Sequence, residues 1–252
     1  MAFTKVLTAN RGEIACRVMR TARSLGYDTV AVYSEADRHA RHVKLADAAV
    51  CIGPALASQS YLKMDAIIAA CQQTGADAVH PGYGFLSENA DFARACADNH
   101  ITFIGPTVEA IHLMGSKRLS KIAMLEAKVP CVPGYQGADQ SDAKLSEEAK
   151  RIGLPLMIKA SAGGGGRGMR VLTDLKDISE QLKSARSESK NAFGSDELIL
   201  ERAVINARHV EIQVFGDTHG HVIHLNERDC SVQRRHQKVI EEAPSPALDA
   251  DL

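Results

Sequence analysis

The sequence is poor in aromatic residues and carries almost no net charge. It contains no Trp, and Phe and Tyr together make up 4% of its 252 residues, so side chains on which nucleic-acid bases could stack are scarce. Its formal net charge is −1, which gives no global basic field to attract nucleic acid or a membrane surface. No apolar run approaches the length that spans a bilayer. The length and the 45% apolar content are those of a globular protein with one or two domains.

The N-terminus also lacks the features of a targeting segment. Residues 1–6 run straight into a strand-like segment, without a long apolar region, a cleavage site or an Arg- and Ser-rich stretch. The six cysteines include no C-x-x-C pair, and most lie within apolar stretches. This pattern predicts buried free thiols in a reducing compartment. Together these absences favour a bacterial-type cytoplasmic protein.

Several familiar site motifs are missing. A Walker A motif, G-x-x-x-x-G-K-[ST], occurs nowhere. The first strand-to-helix turn has only Gly12 where a dinucleotide-binding fold would carry G-x-G-x-x-G, which disfavours a dehydrogenase. No G-x-S-x-G elbow supports a serine hydrolase. His219, His221 and His224, even with Cys230, match no standard zinc spacing.

What the first part of the chain does contain is an alternation of apolar strands and amphipathic helices. Such alternation predicts a parallel sheet with right-handed crossovers, and therefore a Rossmann-like domain over residues 1–113. A connecting helix is expected within residues 114–130, at 116–128. In the first domain the predicted strands are 5–9, 29–33, 49–52, 77–80 and 101–104, and the helices between them are 13–25, 61–73 and 89–99.

The pattern changes after the prolines at 130 and 133. Residues 131–203 are predicted to form a small α+β unit, with strands at 154–160, 169–173 and 198–202 and a long helix at 175–191. Residues 204–252 begin a further domain with a hairpin of 209–215 and 221–227. A lone hairpin has too few strands to be stable, and the final residues look like the start of a helix. This end predicts a fragment of a larger protein.

The strongest local signal is the glycine run at 163–168, which lies between two apolar strands. Consecutive glycines leave backbone N–H groups free to converge on one anion and let a phosphate approach closely. Lys159, at the end of the preceding strand, can add a point charge to the same phosphates. The alternative is a flexible linker, but linkers are usually flanked by polar sequence. The run therefore favours a cover over phosphate groups.

Two further segments are chemically unusual. Residues 80–89, HPGYGFLSEN, lie where ligands collect at the end of a parallel strand, although a structural turn that packs Tyr83 and Phe85, with Ser87 as helix cap, is equally consistent. Residues 227–242 carry dense charge on both faces of a predicted strand. They fit a cationic site for phosphate or bicarbonate as well as they fit a solvated edge strand.

Together, four motifs resemble those of biotin carboxylases. They are residues 9–15, ANRGEIA; residues 80–89; Lys159-Ala160-Ser161 with its glycine run; and residues 227–244. They appear in the family's order, and the resemblance covers essentially the whole chain. It implies an α/β protein of ATP-grasp fold, with a Rossmann-like N-terminal domain, a lid over the nucleotide at 131–203 and the beginning of the larger ATP-grasp domain at 204–252. The family joins ATP and bicarbonate into carboxyphosphate and then carboxylates biotin on a carrier protein or domain.

The resemblance also implies roles for individual residues. The phosphates of ATP are expected to contact Lys117, Lys159 and the lid backbone at Gly165 and Gly166. The adenine is expected to contact the hinge segment of Glu201, Arg202, Ala203 and Val204. The side chains of His209, Gln233 and His236 are expected to lie around the ribose and the phosphates. Lys238, helped by Gln237, is expected to hold bicarbonate, where a fixed cation would stabilise the charge that gathers as its oxygen attacks phosphorus.

Other implied components match no segment of the sequence. The family's Mg²⁺ ligands and its biotin-orienting arginine are expected beyond Leu252, so no metal ligand is assigned within the 252 residues, and these residues alone are expected to be inactive. The implied partners are a biotin carboxyl carrier protein or domain, a carboxyltransferase subunit and a second copy in a homodimer. The sequence as a whole weakly favours an acyl-CoA carboxylase.

Two alternatives remain, another ATP-grasp ligase and a non-catalytic nucleotide-binding module. Among ATP-grasp ligases, the positive charges of Arg234, Arg235 and Lys238 argue for bicarbonate and against an amino-acid substrate.

Overall fold

A computed structural model describes residues 3–163, 168–234 and 237–249. The chain divides into two compact units, residues 1–115 and 116–252. No helix among the described residues is long and apolar enough to cross a membrane.

The first unit is built on a five-stranded parallel sheet with helices between its strands. The strands are β1 (Lys5–Thr8), β2 (Asp28–Ser34), β3 (Ala48–Gly53), β4 (Ala78–His80) and β5 (Thr102–Phe103); the helices are α1 (Gly12–Ser24), α2 (Arg41–Leu45), α3 (Met64–Thr74), α4 (Ala90–Asp98) and α5 (Val108–Gly115). The order of the strands in the sheet is β3-β2-β1-β4-β5. Val30 and Val32 on β2 face a core that includes helices α3 and α4, whereas Ala31 between them faces α1, because successive strand residues point to opposite faces. Helices therefore cover both faces, as the predicted alternation required.

The second unit contains two antiparallel sheets. Its elements are α6 (Lys117–Glu126), β6 (Gly134–Tyr135), α7 (Asp142–Ile152), β7 (Leu156–Ala160), β8 (Met169–Leu172), α8 (Ile178–Phe193), β9 (Leu198–Arg202), β10 (Val210–Gly216), β11 (Val222–Arg234) and β12 (Gln237–Glu242). One sheet has the order β6-β9-β7-β8 and the other β10-β11-β12. Leu156 and Ile158 of β7, with Leu198 and Leu200 of β9, pack into a core beneath helices α7 and α8. The alternating residues of these strands face the other way, which places polar side chains on the opposite face of the sheet.

The α/β architecture predicted from the sequence is confirmed, with local differences. Helix α7 was not predicted. The helix predicted from residue 61 begins at Met64, because the backbone of Lys63, its N-cap, is extended. Helix α4 is capped by Asn89, whose side chain accepts a hydrogen bond from the backbone N–H of Phe92 at 2.8 Å, so Ser87 is not its cap.

The thiol prediction was only partly right, and the predicted terminal hairpin gains a third strand. Cys16, Cys71, Cys96 and Cys230 are buried free thiols, but Cys51 is exposed because β3 lies at the edge of its sheet. Strand β12 pairs antiparallel with β11, so the described end of the chain forms a three-stranded sheet. The helix start expected in the final residues falls largely on residues 250–252, which lie outside the described ranges.

Candidate functional site

The predicted phosphate lysine, Lys159, lies on the polar face of the β7–β9 pair. Its ammonium is 2.5 Å from one carboxylate oxygen of Glu201, which lies diagonally across the strand pair. The other oxygen of Glu201 accepts a hydrogen bond from Lys121 of α6 at 2.6 Å. Burial raises the pKa of Glu201, but hydrogen bonds from the two lysines outweigh it and hold that pKa below its usual value. Glu201 is therefore an ionised carboxylate shared by two cations.

A glycine on the neighbouring strand makes room for this cluster. Gly134 of β6 pairs with Glu201 in the sheet. A Cβ at this position would overlap the backbone carbonyl oxygen of Leu200, and would lie 2.9 Å from the ammonium of Lys121 and 3.1 Å from the Cγ of Glu201. A larger residue here would therefore disturb the backbone of β9 as well as the cluster.

Lys117 begins α6 beside the start of the glycine run. Ser116 caps the helix by accepting a hydrogen bond from the N–H of Leu119. The backbone N–H of Lys117 donates to the Ser161 carbonyl at 2.9 Å, and its ammonium donates to the carbonyls of Ala162 and Gly163. Lys117 is thus held where the predicted phosphate cover begins. Gly165 and Gly166, predicted for that cover, lie outside the described residues.

The segment after Glu201, predicted to hold the adenine base, is bonded into the unit through its amides. The N–H of Arg202 donates to the Pro133 carbonyl at 2.9 Å, and that of Ala203 donates to the Pro155 carbonyl at 2.8 Å. The Arg202 guanidinium donates to the Ile152 carbonyl at 2.9 Å. Val204 is exposed. Amides already bonded to the protein are not free to donate to a base, so base recognition here would fall to other groups.

The β10–β12 sheet carries a second charged cluster, centred on Glu211. One oxygen of Glu211 lies 2.5 Å from the ammonium of Lys238, and the other accepts from Arg228. Arg228 also contacts Glu241 at 2.5 Å. These contacts, the hydrogen bond from Lys238 foremost, lower the pKa of Glu211 to about 2 and raise that of Lys238. Lys238 is therefore a fixed cation.

His209 and Gln233 lie next to this cluster. The amide nitrogen of Gln233 is 2.8 Å from Nδ1 of His209 and donates to the Cys230 carbonyl at the same distance. Nε2 of His209 lies 3.8 Å from Glu211. The pair thus joins the backbone of β11 to the charged cluster. His236, predicted to contact the nucleotide, lies outside the described residues.

An open cleft of about 1010 Å³ in the second unit brings these predicted residues together. Five of them line it, and the described residues of the lining include no carboxylate. Lys159, Arg208 and Lys238 give the cleft a positive character, and Val132 and Met169 add apolar surface. Such a lining fits an anionic ligand with a flat apolar part. Its residues are Val132, Lys159, Met169, Ala207, Arg208, His209, Val210, Ser231, Gln233, Gln237 and Lys238.

In the first unit, two of the recognised motifs hold each other at the carboxyl ends of β1 and β4. The side chain of Asn10 donates to the carbonyls of Pro81 and Tyr83 at 3.0 and 2.9 Å. Phe85 stacks on Tyr61 with ring centroids 5.1 Å apart, whereas Tyr83 is exposed. The Asn10 side chain thus ties the turn after β1 to the loop after β4.

Metal ligands are not gathered in the described ranges 3–163, 168–234 and 237–249. No group of three His, Cys, Asp or Glu side chains there could hold a metal ion. The described residues therefore do not fit the Mg²⁺ that the family resemblance implies. Leu252, beyond which the Mg²⁺ ligands are expected, itself lies outside the described residues, so their position stays a prediction.

Sequence reasoning missed Lys121 and Glu211. Lys121 follows Lys117 by four residues, which places both on one helix face, and this spacing was an available signal. Glu211 lies on the alternating strand β10, but its pairing with Lys238 depends on the register of three strands.

Comparison with known proteins decides the family. Residues 2–111 match the family described as "Biotin carboxylase, N-terminal domain", and residues 116–252 match "Carbamoyl-phosphate synthase L chain, ATP binding domain". The chain belongs to the biotin carboxylase family. This confirms the resemblance read from the four motifs.

Individual relatives align along nearly the full chain. The alpha subunit of mitochondrial methylcrotonoyl-CoA carboxylase from Rattus norvegicus is 57% identical over 100% of this chain and 35% of its own length. The biotin carboxylase of Haemophilus influenzae is 56% identical over 98% of this chain and 56% of its own length. A Campylobacter jejuni biotin carboxylase in a β,γ-ATP complex superposes with a TM-score of 0.96 and 51% identity, over 99% of this chain and 56% of that one. The chain thus spans between a third and somewhat over half of these relatives.

Proposed function

We propose that this chain forms the nucleotide- and bicarbonate-binding part of a biotin carboxylase. The complete reaction would activate bicarbonate with ATP to carboxyphosphate and then carboxylate biotin on a carrier protein or domain. The observation that carries the proposal is the cationic cleft of the second unit, which is lined by Lys159, His209, Gln233, Gln237 and Lys238. A solved relative of this chain supports the proposal. The biotin carboxylase domain of the Hydrogenobacter thermophilus 2-oxoglutarate carboxylase is described in complex with MgADP, ADP and bicarbonate.

In this proposal, the nucleotide phosphates bind beside Lys159. Lys117 and the lid backbone at Gly165 and Gly166 approach the phosphates, while His209, Gln233 and His236 surround them and the ribose. The apolar surface of Met169 and Val132 in the cleft suits the flat face of adenine. The backbone carbonyls of Glu201, Arg202 and Ala203 and the backbone of Val204 would recognise its edge, since the N–H groups of Arg202 and Ala203 are already bonded. The positive lining supports this orientation because phosphates carry the ligand's charge.

Bicarbonate is proposed to bind at Lys238 with help from Gln237. An ammonium has three donors, and one of them is engaged by Glu211, so contact with a second anion is compatible with that pair. Bicarbonate gains charge on the attacking oxygen as it approaches phosphorus, and a held cation stabilises that charge without rearranging. Glu211 would fix the direction of the ammonium.

The wider biology is proposed on the same basis. The relatives named as methylcrotonoyl-CoA carboxylase alpha subunits favour an acyl-CoA carboxylase with a biotin carrier and a carboxyltransferase as partners. The Hydrogenobacter thermophilus relative, described as a domain dimer, favours a homodimer of the complete protein. A cytoplasmic location remains a proposal, because several relatives are mitochondrial. The domain limits 1–113, 114–130, 131–203 and 204–252 also stay proposals, as does the placement of the Mg²⁺ ligands beyond Leu252.

Nucleotide binding by the purified 252-residue chain tests the proposal. Isothermal titration with ADP should show binding, whereas ATP hydrolysis stimulated by bicarbonate and free biotin should be absent, since the described residues provide no metal-ligand cluster and phosphoryl transfer needs a metal to neutralise charge. Absence of ADP binding would contradict the proposed site. Bicarbonate-dependent hydrolysis by these residues alone would contradict the expectation that they are insufficient.

A further inference from the structure

Lys121 is an ammonium buried behind the proposed phosphate site. It lies on α6, and its side chain is only 7% exposed. Its ammonium donates to Glu201 at 2.6 Å and to the Val132 carbonyl at 2.6 Å. A buried lysine is rare unless its charge is compensated, and here the compensating carboxylate is one that also binds Lys159.

The three charged groups are arranged in order of depth. Lys159 lines the cleft with its side chain 25% exposed, Glu201 behind it is 12% exposed, and Lys121 behind that is 7% exposed. Two positive charges and one negative charge leave the cluster with a net charge of about +1. Without Lys121 the remaining pair would be neutral, and the negative charge of Glu201 would be directed only at Lys159.

This arrangement matters because an incoming phosphate competes with Glu201 for Lys159. A carboxylate with a second cation behind it repels phosphate less, since opposite charges at close range offset each other in a partly buried site. The depressed pKa of Glu201, set by hydrogen bonds from both lysines against the effect of burial, shows that it stays charged and needs this compensation.

We propose that Lys121 is a positioning residue for nucleotide binding, which neutralises Glu201 and so leaves the charge of Lys159 available to the phosphates of a nucleotide in the cleft. This inference rests on the proposed function. Lys121 touches no ligand itself; it acts through Glu201 and Lys159. It adds to the site a group that neither the motifs nor the family resemblance assigned.

A purely structural role for Lys121 would have a different signature. The same ammonium holds the Val132 carbonyl, so its loss could loosen the segment between α6 and β6 and weaken all ligand binding. If Lys121 instead acts on the phosphates, its loss should weaken the affinity only of ligands that carry phosphate groups. Adenosine and ADP separate the two roles, because they share the base and ribose and differ in the phosphates.

The experiment is titration calorimetry of ADP and of adenosine with the 252-residue chain and its Lys121→Met variant. We expect the Kd of ADP to rise about tenfold or more, which corresponds to about 1.4 kcal/mol, while the Kd of adenosine changes by less than about twofold. The salt dependence of ADP binding should also weaken, as for any loss of an attractive charge. An equal loss for both ligands, or no loss for ADP, would overturn the proposal.

Arg118→Met is the matched control. Arg118 lies on the same helix, its side chain is 19% exposed, and it forms an ion pair of 2.6 Å with Glu197 just before β9. This pair does not include Lys159 or Glu201. The Arg118→Met variant should leave the affinities for ADP and for adenosine unchanged. Loss of ADP affinity alone in this variant would overturn the role proposed for Lys121, because removal of another cation from α6 would then have the same effect.

Two further variants cover the case in which Lys121→Met fails to fold. Lys121→Arg keeps the charge and should bind ADP within about threefold of the unmodified chain. Lys121→Gln keeps hydrogen-bonding capacity without charge, and should lose ADP affinity selectively if folded; wild-type affinity for ADP in a folded Lys121→Gln variant would refute the proposal. Failure of the unmodified chain to bind ADP would instead refute the proposed function, and this inference with it.

Discussion

Neutralising Glu211 should remove a pH-dependent part of the stability of the β10–β12 sheet. Hydrogen bonds from Lys238 and Arg228 lower the pKa of Glu211 from 4.5 to about 2. This lowering corresponds to at most about 3 kcal/mol of unfolding free energy. Since the side chain is 23% exposed and solvent screens the pairs, we expect about 1–2 kcal/mol.

The sign of the pH dependence follows from the direction of the shift. A carboxylate whose pKa is lower in the folded state stabilises the protein above the unfolded-state pKa of about 4.5, and this stabilisation is lost as the pH falls towards the folded-state value of about 2. Glu211→Gln should therefore be less stable than the unmodified chain at about pH 7. The difference should shrink below about pH 4.5 and approach zero near pH 2.

Urea-induced unfolding followed by circular dichroism measures this difference, and the probe is suitable because the chain has no Trp. Glu241→Gln is the matched control in the same sheet. Glu241 contacts only one of these cations, Arg228, and its loss should cost less than about 1 kcal/mol. A Glu211→Gln effect that is the same at pH 7 and near pH 3 would refute the reasoning.

Three other predictions concern the site, the core of the second unit and the loop of the first. Lys159→Met should weaken ADP binding by about tenfold or more in calorimetry. The side chain of Lys176 is 86% exposed, and Lys176→Met should leave ADP binding unchanged; equal effects of the two substitutions would contradict a specific phosphate contact. Leu182→Ala removes a fully buried side chain and should lower the unfolding free energy by about 2–5 kcal/mol, against under about 1 kcal/mol for the half-exposed Val171→Ala; similar urea midpoints for the two would contradict this packing. Gly82→Ala and Gly84→Ala both place a Cβ at positive φ, but only at Gly82 would it meet the Asn10 side chain, at 2.6 Å; thermal unfolding should show Gly82→Ala to be the more destabilised by about 1–3 kcal/mol, and equal losses would argue against the contact.

The order of the elements could be predicted from the sequence because local patterns carry it. The strands of the first unit are short apolar runs bounded by turn residues, and their alternation with helices leaves few topologies. Helix α7 was not recognised because residues 142–152 are mostly polar, and the helix buries only a narrow stripe that includes Leu145, Ala149 and Ile152. Such a stripe is easily read as a linker after two prolines.

The site could be predicted only in part, for a related reason. Motif residues such as Lys159 and Lys238 are recognisable one by one, and the structure brings both to one cleft. Their counterions are set by the packing and register of the strands, over sequence distances of 42 residues for Lys159 and Glu201 and 27 for Lys238 and Glu211. No local pattern reports such a pairing. The ionisation and orientation of the lysines therefore had to come from the structure.

Hydrogen–deuterium exchange with and without ADP tests the central claim, that the cleft of the second unit binds the nucleotide, most directly. The account predicts slower exchange on ADP addition in residues 156–160, 207–211 and 231–234, which contribute to the cleft lining. The strands of the first unit should exchange unchanged. Protection confined to residues 3–115, or no protection anywhere at saturating ADP, would contradict the account.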